Sequence, residues 1–117
     1  MHELSISRAV LETALAHAGG RRIARVDMTV GALRQVVPDS LVFYFGIVAA
    51  GTVSEGATLA VTEVPARVRC GPCAEEWRLV EPVFRCRRCG ATVEVVAGEE
   101  LEVDSIEVEE DACIAAR

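Results

Sequence analysis

Apolar residues recur at two different spacings in the first quarter of the chain. Over residues 4–18 they recur at helical spacing, which predicts a helix that ends at Gly19 and Gly20. Over residues 23–30 they alternate with polar residues, which predicts a half-buried strand that ends at Gly31. The residues expected to face the core are Leu4, Leu11, Ala14, Leu15 and Ala18 from the helix, and Ala24, Val26, Met28 and Val30 from the strand.

The pattern predicts a second helix and two further strands. Pro38 and Asp39 suit the first turn of a helix, because proline lacks an N–H that would be unpaired there and aspartate complements the helix dipole. Residues 58–64 and 100–109 have the composition of strands, and the alternation of the second changes phase near residues 104–105, as at a β-bulge. The apolar stripe expected on the second helix is Leu41, Phe45, Val48 and Ala49.

Two Cys-x-x-Cys pairs interrupt this pattern before the last strand. They consist of Cys70, Cys73, Cys86 and Cys89, and twelve residues separate the pairs. Zinc favours four soft ligands at tetrahedral corners, so the spacing predicts one zinc site, with short strands at 77–80 and 83–85 between the pairs. Because four thiolates leave no ligand position for water, the predicted site is structural.

The order of elements predicts an α+β fold, with two helices on a three-stranded sheet and an inserted four-cysteine zinc-ribbon-like subdomain. We expect residues 1–66 and 96–117 to form one α/β domain and residues 67–95 the zinc-binding subdomain. The insert joins the second strand to the last, which favours these two strands as neighbours in the sheet.

Charge and composition reduce the number of possible functions and partners. The 117-residue chain has a net charge of −6 and contains no lysine, which counts against nucleic acid as a partner. It has no long apolar run and no secretory signal pattern at its start, so we expect a cytoplasmic protein without a membrane partner. The fifth cysteine, Cys113, is left over and is interpreted as a tail residue without a special role.

Other interpretations of the cysteines are weaker. Cys70-Gly71-Pro72-Cys73 has the letters of a thiol oxidoreductase motif, but that chemistry needs the first cysteine at a helix start and does not need a second pair. Four cysteines with this two-turn spacing fit an iron–sulfur cluster less well than zinc. A zinc-ribbon nucleic-acid or transcription adaptor shares the cysteine spacing and remains the alternative function. No catalytic constellation stands out, so the sequence predicts no enzyme.

The amino terminus offers a second candidate metal site. The terminal amine, the His2 amide after loss of its proton and the His2 imidazole can chelate a late transition metal such as Ni(II) or Cu(II). Position alone is a weak signal, because termini fray. The other histidine, His17, lies near the end of the first helix and is expected to interact with that end of the helix.

Several segments together resemble the HypA/HybF family of hydrogenase maturation nickel chaperones. They are Met1-His2-Glu3-Leu4-Ser5, Val30-Gly31-Ala32-Leu33, Val37-Pro38-Asp39, the two cysteine pairs, Gly98-Glu99-Glu100-Leu101 and Ser105-Ile106-Glu107-Val108-Glu109. The resemblance covers essentially the whole chain in the family's order. Ala32 departs from it, since many relatives are expected to have a polar residue there.

The resemblance implies a metallochaperone that binds Ni(II) at its amino terminus and assists nickel insertion into nickel–iron hydrogenase. It implies His2 as the nickel ligand, with Glu3 and Asp39 as further ligands or near neighbours, and structural Zn(II) on the four cysteines. The implied partners are a maturation GTPase of the HypB type and the hydrogenase large subunit.

Overall fold

The computed structural model of the chain describes residues 2–109, apart from the side chain of His2. The elements follow one another as α1 (His2–Ala18), β1 (Ile23–Gly31), a 3-10 turn (Ala32–Arg34), α2 (Pro38–Ala49), β2 (Thr58–Val64), β3 (Arg67–Cys70), β4 (Glu75–Arg78), β5 (Glu94–Ala97) and β6 (Leu101–Val108). These two helices and short strands confirm the predicted α+β class. Among the described residues, no helix has the length and apolar character needed to cross a membrane.

The strands form two sheets of three, in the orders β2-β1-β6 and β4-β3-β5. In the first sheet β1 is central, so the sequence-based pairing of β2 with β6 is wrong. The insert between β2 and β6 forms its own sheet, and the two strands that flank it both pair with the earlier β1. The second sheet contains β3 and β5, which the sequence pattern missed.

Contacts among the described residues divide the chain into two compact units. The first contains residues 2–29, 36–62 and 102–109, and the second contains residues 30–35 and 63–101. The four cysteines all belong to the second unit. The domain bounds expected from the sequence stay a prediction.

In the first unit, α1 packs on α2. Leu41 and Phe45 of α2 are buried there, as predicted, but the buried residues of α1 differ from the predicted ones. Leu4 is 38% exposed, whereas Ser7 is fully buried. The Ser7 hydroxyl donates a hydrogen bond to the Leu41 carbonyl at 3.1 Å, and this bond satisfies the polar group that burial removes from water.

The alternation of buried and exposed residues is interrupted once in each of the two long strands, β1 and β6. In β1, Ile23 is buried and Ala24 is exposed, so the prediction for Ala24 is wrong, while the alternation holds from Val26 onward. In β6, burial changes phase between Val103 and Ile106, as the alternation in the sequence indicates, and the bulge at residues 104–105 stays a prediction.

The second unit contains a close approach of two backbones at Gly31 and Gly98. The Gly31 N–H donates to the Glu100 carbonyl at 2.7 Å, and the Leu33 N–H donates to the Gly98 carbonyl at 2.8 Å. A Cβ on Gly31 would lie 2.1 Å from the carbonyl carbon of Gly98, so this position requires glycine. These contacts tie residues 30–35 to the turn before β6.

Candidate metal centres

The first cysteine pair lies at a β-hairpin. β3 pairs antiparallel with β4, and Cys70, the last residue of β3, lies opposite Glu75. Cys73 lies in the turn between these strands. The strand expected at 77–80 occurs at 75–78 instead, because β4 begins directly after the first cysteine pair.

The second cysteine pair lies in a turn that follows an irregular segment. The strand expected at 83–85 is absent from the described residues, and an isolated bridge between Arg85 and Thr92 stands in its place. Pro82 lacks a backbone donor, which disfavours regular pairing nearby. The bridge brings together the two ends of the turn that contains Cys86 and Cys89.

The four cysteine sulfurs form one group, called the cysteine cluster. The Sγ atoms of Cys70, Cys73, Cys86 and Cys89 all lie within 4.8 Å of one another. The Cys70–Cys89 distance is 3.5 Å and the Cys73–Cys86 distance is 3.9 Å. Zinc–sulfur bonds of about 2.3 Å at tetrahedral corners separate the sulfurs by about 3.8 Å, whereas a disulfide requires about 2.05 Å. The spacing therefore fits a metal ion and confirms the predicted cluster.

Each Cys-x-x-Cys turn with its following residue forms a knuckle, at 70–74 and 86–90. In the second knuckle the Arg88 N–H donates to the Cys86 sulfur at 3.4 Å, and the Gly90 N–H donates to the Cys86 carbonyl at 2.9 Å. The residue after each pair has a left-handed backbone, with φ of 54° at Ala74 and 74° at Gly90. Alanine is strained in this conformation and glycine is not.

The cysteine cluster rests on a small apolar core of its own. Cys70 and Cys86 are buried together with Val68 and Val93, and Trp77 packs against this group. Cys73 is half-buried and Cys89 is exposed. The second unit is small, so a metal cross-link would supplement its limited apolar core.

The electrostatics of the cysteine cluster favour a cation at its centre. Hydrogen bonds from the backbone N–H groups of Cys89 and Arg88 lower the pKa of Cys86 to about 7. The neighbouring thiols of Cys89 and Cys70 raise the pKa of Cys73 to about 12. Thiolates this close repel one another, so all four ionise together only when a cation compensates their charge.

The amino-terminal candidates lie at the starts of the two helices. His2 begins α1, and its side chain lies outside the described part of the structure. Glu3 is only 7% exposed, and its carboxylate accepts a hydrogen bond from the Val37 N–H at 3.1 Å. Val37 immediately precedes α2, and Asp39 lies exposed in the first turn of that helix. The fold therefore brings the Glu3 side chain to the start of the helix that carries Asp39.

The burial of Glu3 is a feature that the sequence pattern missed. Hydrogen bonds to its carboxylate, among them the one from the Val37 N–H, lower the pKa of Glu3 to about 2. The sequence shows an acidic residue near the start of a helix. It does not show the contact of Glu3 with Val37, which lies 34 positions further along the chain.

Two candidates named in the sequence remain, His17 and Cys113. His17 donates from Nδ1 to the Thr13 carbonyl at 2.9 Å, one turn earlier in α1, and its interaction with the end of the helix stays a prediction. Cys113 lies outside the described residues.

Comparison with known proteins identifies relatives that match nearly the whole chain. A hydrogenase maturation factor HypA from Streptomyces avermitilis is 46% identical over 116 residues, which cover 94% of this chain and 88% of that protein. The HypA of Geobacter sulfurreducens is 46% identical over 110 residues, which cover 93% of this chain and all of that protein.

A solved structure shares the fold, and a family description fits the sequence. The solution structure of the Ni metallochaperone HypA from Helicobacter pylori has a TM-score of 0.66, covering 92% of this chain and 97% of that one at 21% identity. The family described as "Hydrogenase/urease nickel incorporation, metallochaperone, hypA" matches residues 1–108. The resemblance found in the sequence is thus confirmed, and the chain belongs to the HypA family of nickel-incorporation metallochaperones for hydrogenase maturation, which are not enzymes.

Proposed function

We propose that this chain carries Ni(II) as cargo at its amino terminus, holds Zn(II) in the cysteine cluster and assists nickel insertion into nickel–iron hydrogenase in the cytoplasm. The observation that carries the proposal is the start of α1 at His2, directly after the terminal residue. This arrangement supports a chelate built from the terminal amine, the His2 amide and the His2 imidazole.

The start of a helix suits this chelate chemically. The first N–H groups of an α-helix have no carbonyl partner within the helix, so a metal can replace the proton of such an amide without breaking a helical hydrogen bond. The positive end of the helix dipole also favours loss of that proton. Nitrogen-rich tetragonal sites suit Ni(II), and a site with few side-chain ligands allows release.

Glu3 and Asp39 have different proposed roles. The Glu3 carboxylate accepts the Val37 N–H, so we assign Glu3 the positioning of the first turn of α1 beside α2, as a near neighbour of the proposed nickel ligands. Asp39 is exposed in the first turn of α2, and its carboxylate is proposed as an oxygen ligand or near neighbour.

The cysteine cluster is proposed to hold the permanent metal. When bound, Zn(II) supplies the positive charge that four thiolates need and cross-links the β3–β4 hairpin to the second knuckle. With four cysteine ligands the centre is closed, so its role is structural. The proposed partners are a HypB-type GTPase and the hydrogenase large subunit.

The test measures nickel and zinc content of the wild type, His2→Ala and His17→Ala. We expect nickel binding to collapse in His2→Ala while zinc stays near one per chain. The other histidine serves as a matched control, because His17 bonds to Thr13 within α1 and its replacement should leave both metals in place. Unchanged nickel binding in His2→Ala contradicts the proposed site.

A chemical variant separates the terminal amine from the side chain. Acetylation of the amino terminus removes the amine ligand and changes no side chain. The acetylated wild type should lose nickel and keep zinc. Retention of nickel after acetylation would rule out a chelate that uses the amine.

A further inference from the structure

A groove of about 560 Å³ runs beside β4 in the second unit. All four residues of β4 line it, together with residues 79–81, 83 and 85–88. Its apolar lining extends to an exposed loop, where Val80 is 87% and Val83 is 52% exposed. A concave site of this size with exposed apolar side chains is typical of a binding surface.

The groove follows a strand edge whose backbone is open to pairing. β4 is an outer strand of the sheet β4-β3-β5. The Leu79 N–H donates to the Ala66 carbonyl at 2.8 Å. Antiparallel pairing alternates, so the backbone of Trp77 also faces β3, while the N–H and C=O groups of Glu76 and Arg78 face away. No described strand pairs with this edge, which can therefore accept an added strand.

Two of the carboxylates in the groove are already paired. Glu75 accepts from Arg88 at 2.7 Å, and Glu76 accepts from Arg67 at 2.8 Å. Glu81 is the third glutamate of the lining. Glu75 and Glu76 are therefore not free to pair with the other arginines of the lining.

Three arginines of the lining make no ion pair with any described residue. Arg78 and Arg87 have no carboxylate within ion-pair distance in this part of the chain, and Arg85 donates from Nη1 to the Gly90 carbonyl at 3.1 Å. Their guanidinium N–H groups are therefore donors in the lining that no described carboxylate occupies. These donors are complementary to carboxylates on an incoming segment.

We propose that this groove binds an extended segment of a partner protein in which carboxylate and apolar residues alternate. The segment adds as a fourth strand, and its backbone pairs with Glu76 and Arg78. Alternate side chains of a strand point to opposite faces, so apolar residues meet the face of Trp77 and carboxylates meet the face of Arg78. The cysteine cluster then fixes β4 and the second knuckle around the groove, a role beyond nickel carriage.

The first test titrates the zinc-loaded full chain with a short capped peptide that alternates aspartate and valine. Trp77 is the single tryptophan and lines the groove, so its emission reports binding directly. We expect a saturable shift for this peptide and none for a lysine–valine peptide. No shift with the acidic peptide, or equal binding of both peptides, overturns the proposal.

Charge-reversal variants locate the site. Arg78→Glu and Arg87→Glu should each weaken binding about tenfold or more. Arg69→Glu makes the same charge change in the same unit outside the lining, and should alter affinity by no more than about twofold. Zinc content measured on each variant verifies that the unit is folded. Equal loss in all three variants, or no loss in the first two, contradicts the assigned groove.

The strand-addition mode has its own test. Methylation of the peptide's amides on the edge that faces β4 should abolish binding, whereas methylation of the opposite edge should leave it intact. Equal binding of the two methylated peptides overturns strand addition. Sedimentation of the chain without peptide tests whether a second copy of the chain occupies the groove. A dimer that dissociates when the peptide is added would show that the occupant is a second copy and not a partner protein.

Discussion

The cysteine cluster and the amino-terminal motif differ in what the fold fixes before a metal binds. Four sulfurs lie within 4.8 Å of one another, and a backbone N–H bonds to one of them at 3.4 Å. At the amino terminus, the fold fixes the start of α1 and the buried carboxylate of Glu3 against Val37. A preformed closed cluster suits a metal that is kept, and a chelate on one helical turn suits a metal that is passed on.

The largest effect should come from Cys86→Ser, which removes a buried ligand of the cysteine cluster. We expect zinc content to fall from near one per chain to near zero, because the remaining thiols no longer form a closed site. The emission of Trp77, which packs against this core, should shift to the red. Nickel binding should persist if the two sites are separate.

Cys113→Ser is the matched control for that variant. It changes the cysteine outside the predicted ligand set and should leave zinc content and tryptophan emission unchanged. A zinc content near one in Cys86→Ser, or a loss in Cys113→Ser, would give the cluster a different ligand set.

A smaller effect distinguishes Glu3 from Asp39 in the metal-free protein. Glu3→Gln should lower the free energy of unfolding, because it removes a buried carboxylate that accepts the Val37 N–H. Asp39→Asn changes an exposed side chain and should lower it less. Urea denaturation of the two variants beside the wild type measures the difference, and equal losses would contradict the assigned roles.

The same measurement across pH sharpens this distinction. The pKa of Glu3 is lowered from 4.5 to about 2, so its stabilising contribution is complete above pH 4.5 and is lost as the pH falls toward 2. In that window the stability of Glu3→Gln should fall less steeply than that of the wild type. Parallel curves would show that Glu3 does not carry this dependence.

The smallest effects compare the two knuckles. Gly90→Ala should destabilise the second unit by about 1 kcal/mol, because alanine is strained at positive φ. No atom lies within 4 Å of the added Cβ, so the cost is one of backbone conformation. Ala74→Gly relieves the same strain but raises the conformational entropy of the unfolded chain. We therefore expect a gain in stability of only about 0.5 kcal/mol. Thermal unfolding of the zinc-loaded variants measures both, and changes of the same sign would contradict the argument.

Local chemistry made several features predictable from the sequence. Pro38 marked the first turn of α2, and β2 occurs at the predicted residues 58–64. The Cys-x-x-Cys spacing predicted the cysteine cluster, because two such turns can bring four sulfurs together whatever the rest of the chain does.

Features that depend on distant residues were not predictable in this way. Strand order depends on pairing across long loops, so the central position of β1 was missed. β3 and β5 are four residues each, too short for their alternation to stand out. The burial of Ser7 depends on the Leu41 carbonyl, which accepts its hydroxyl from 34 residues away.

We propose that zinc is kept while nickel is passed on, and a chelator challenge tests this difference most directly. The chain is loaded with both metals, exposed to increasing chelator concentrations and times, and analysed for the nickel and zinc that remain bound. We predict that nickel leaves under conditions in which zinc stays near one per chain. Loss of both metals together, or of zinc before nickel, would contradict the account.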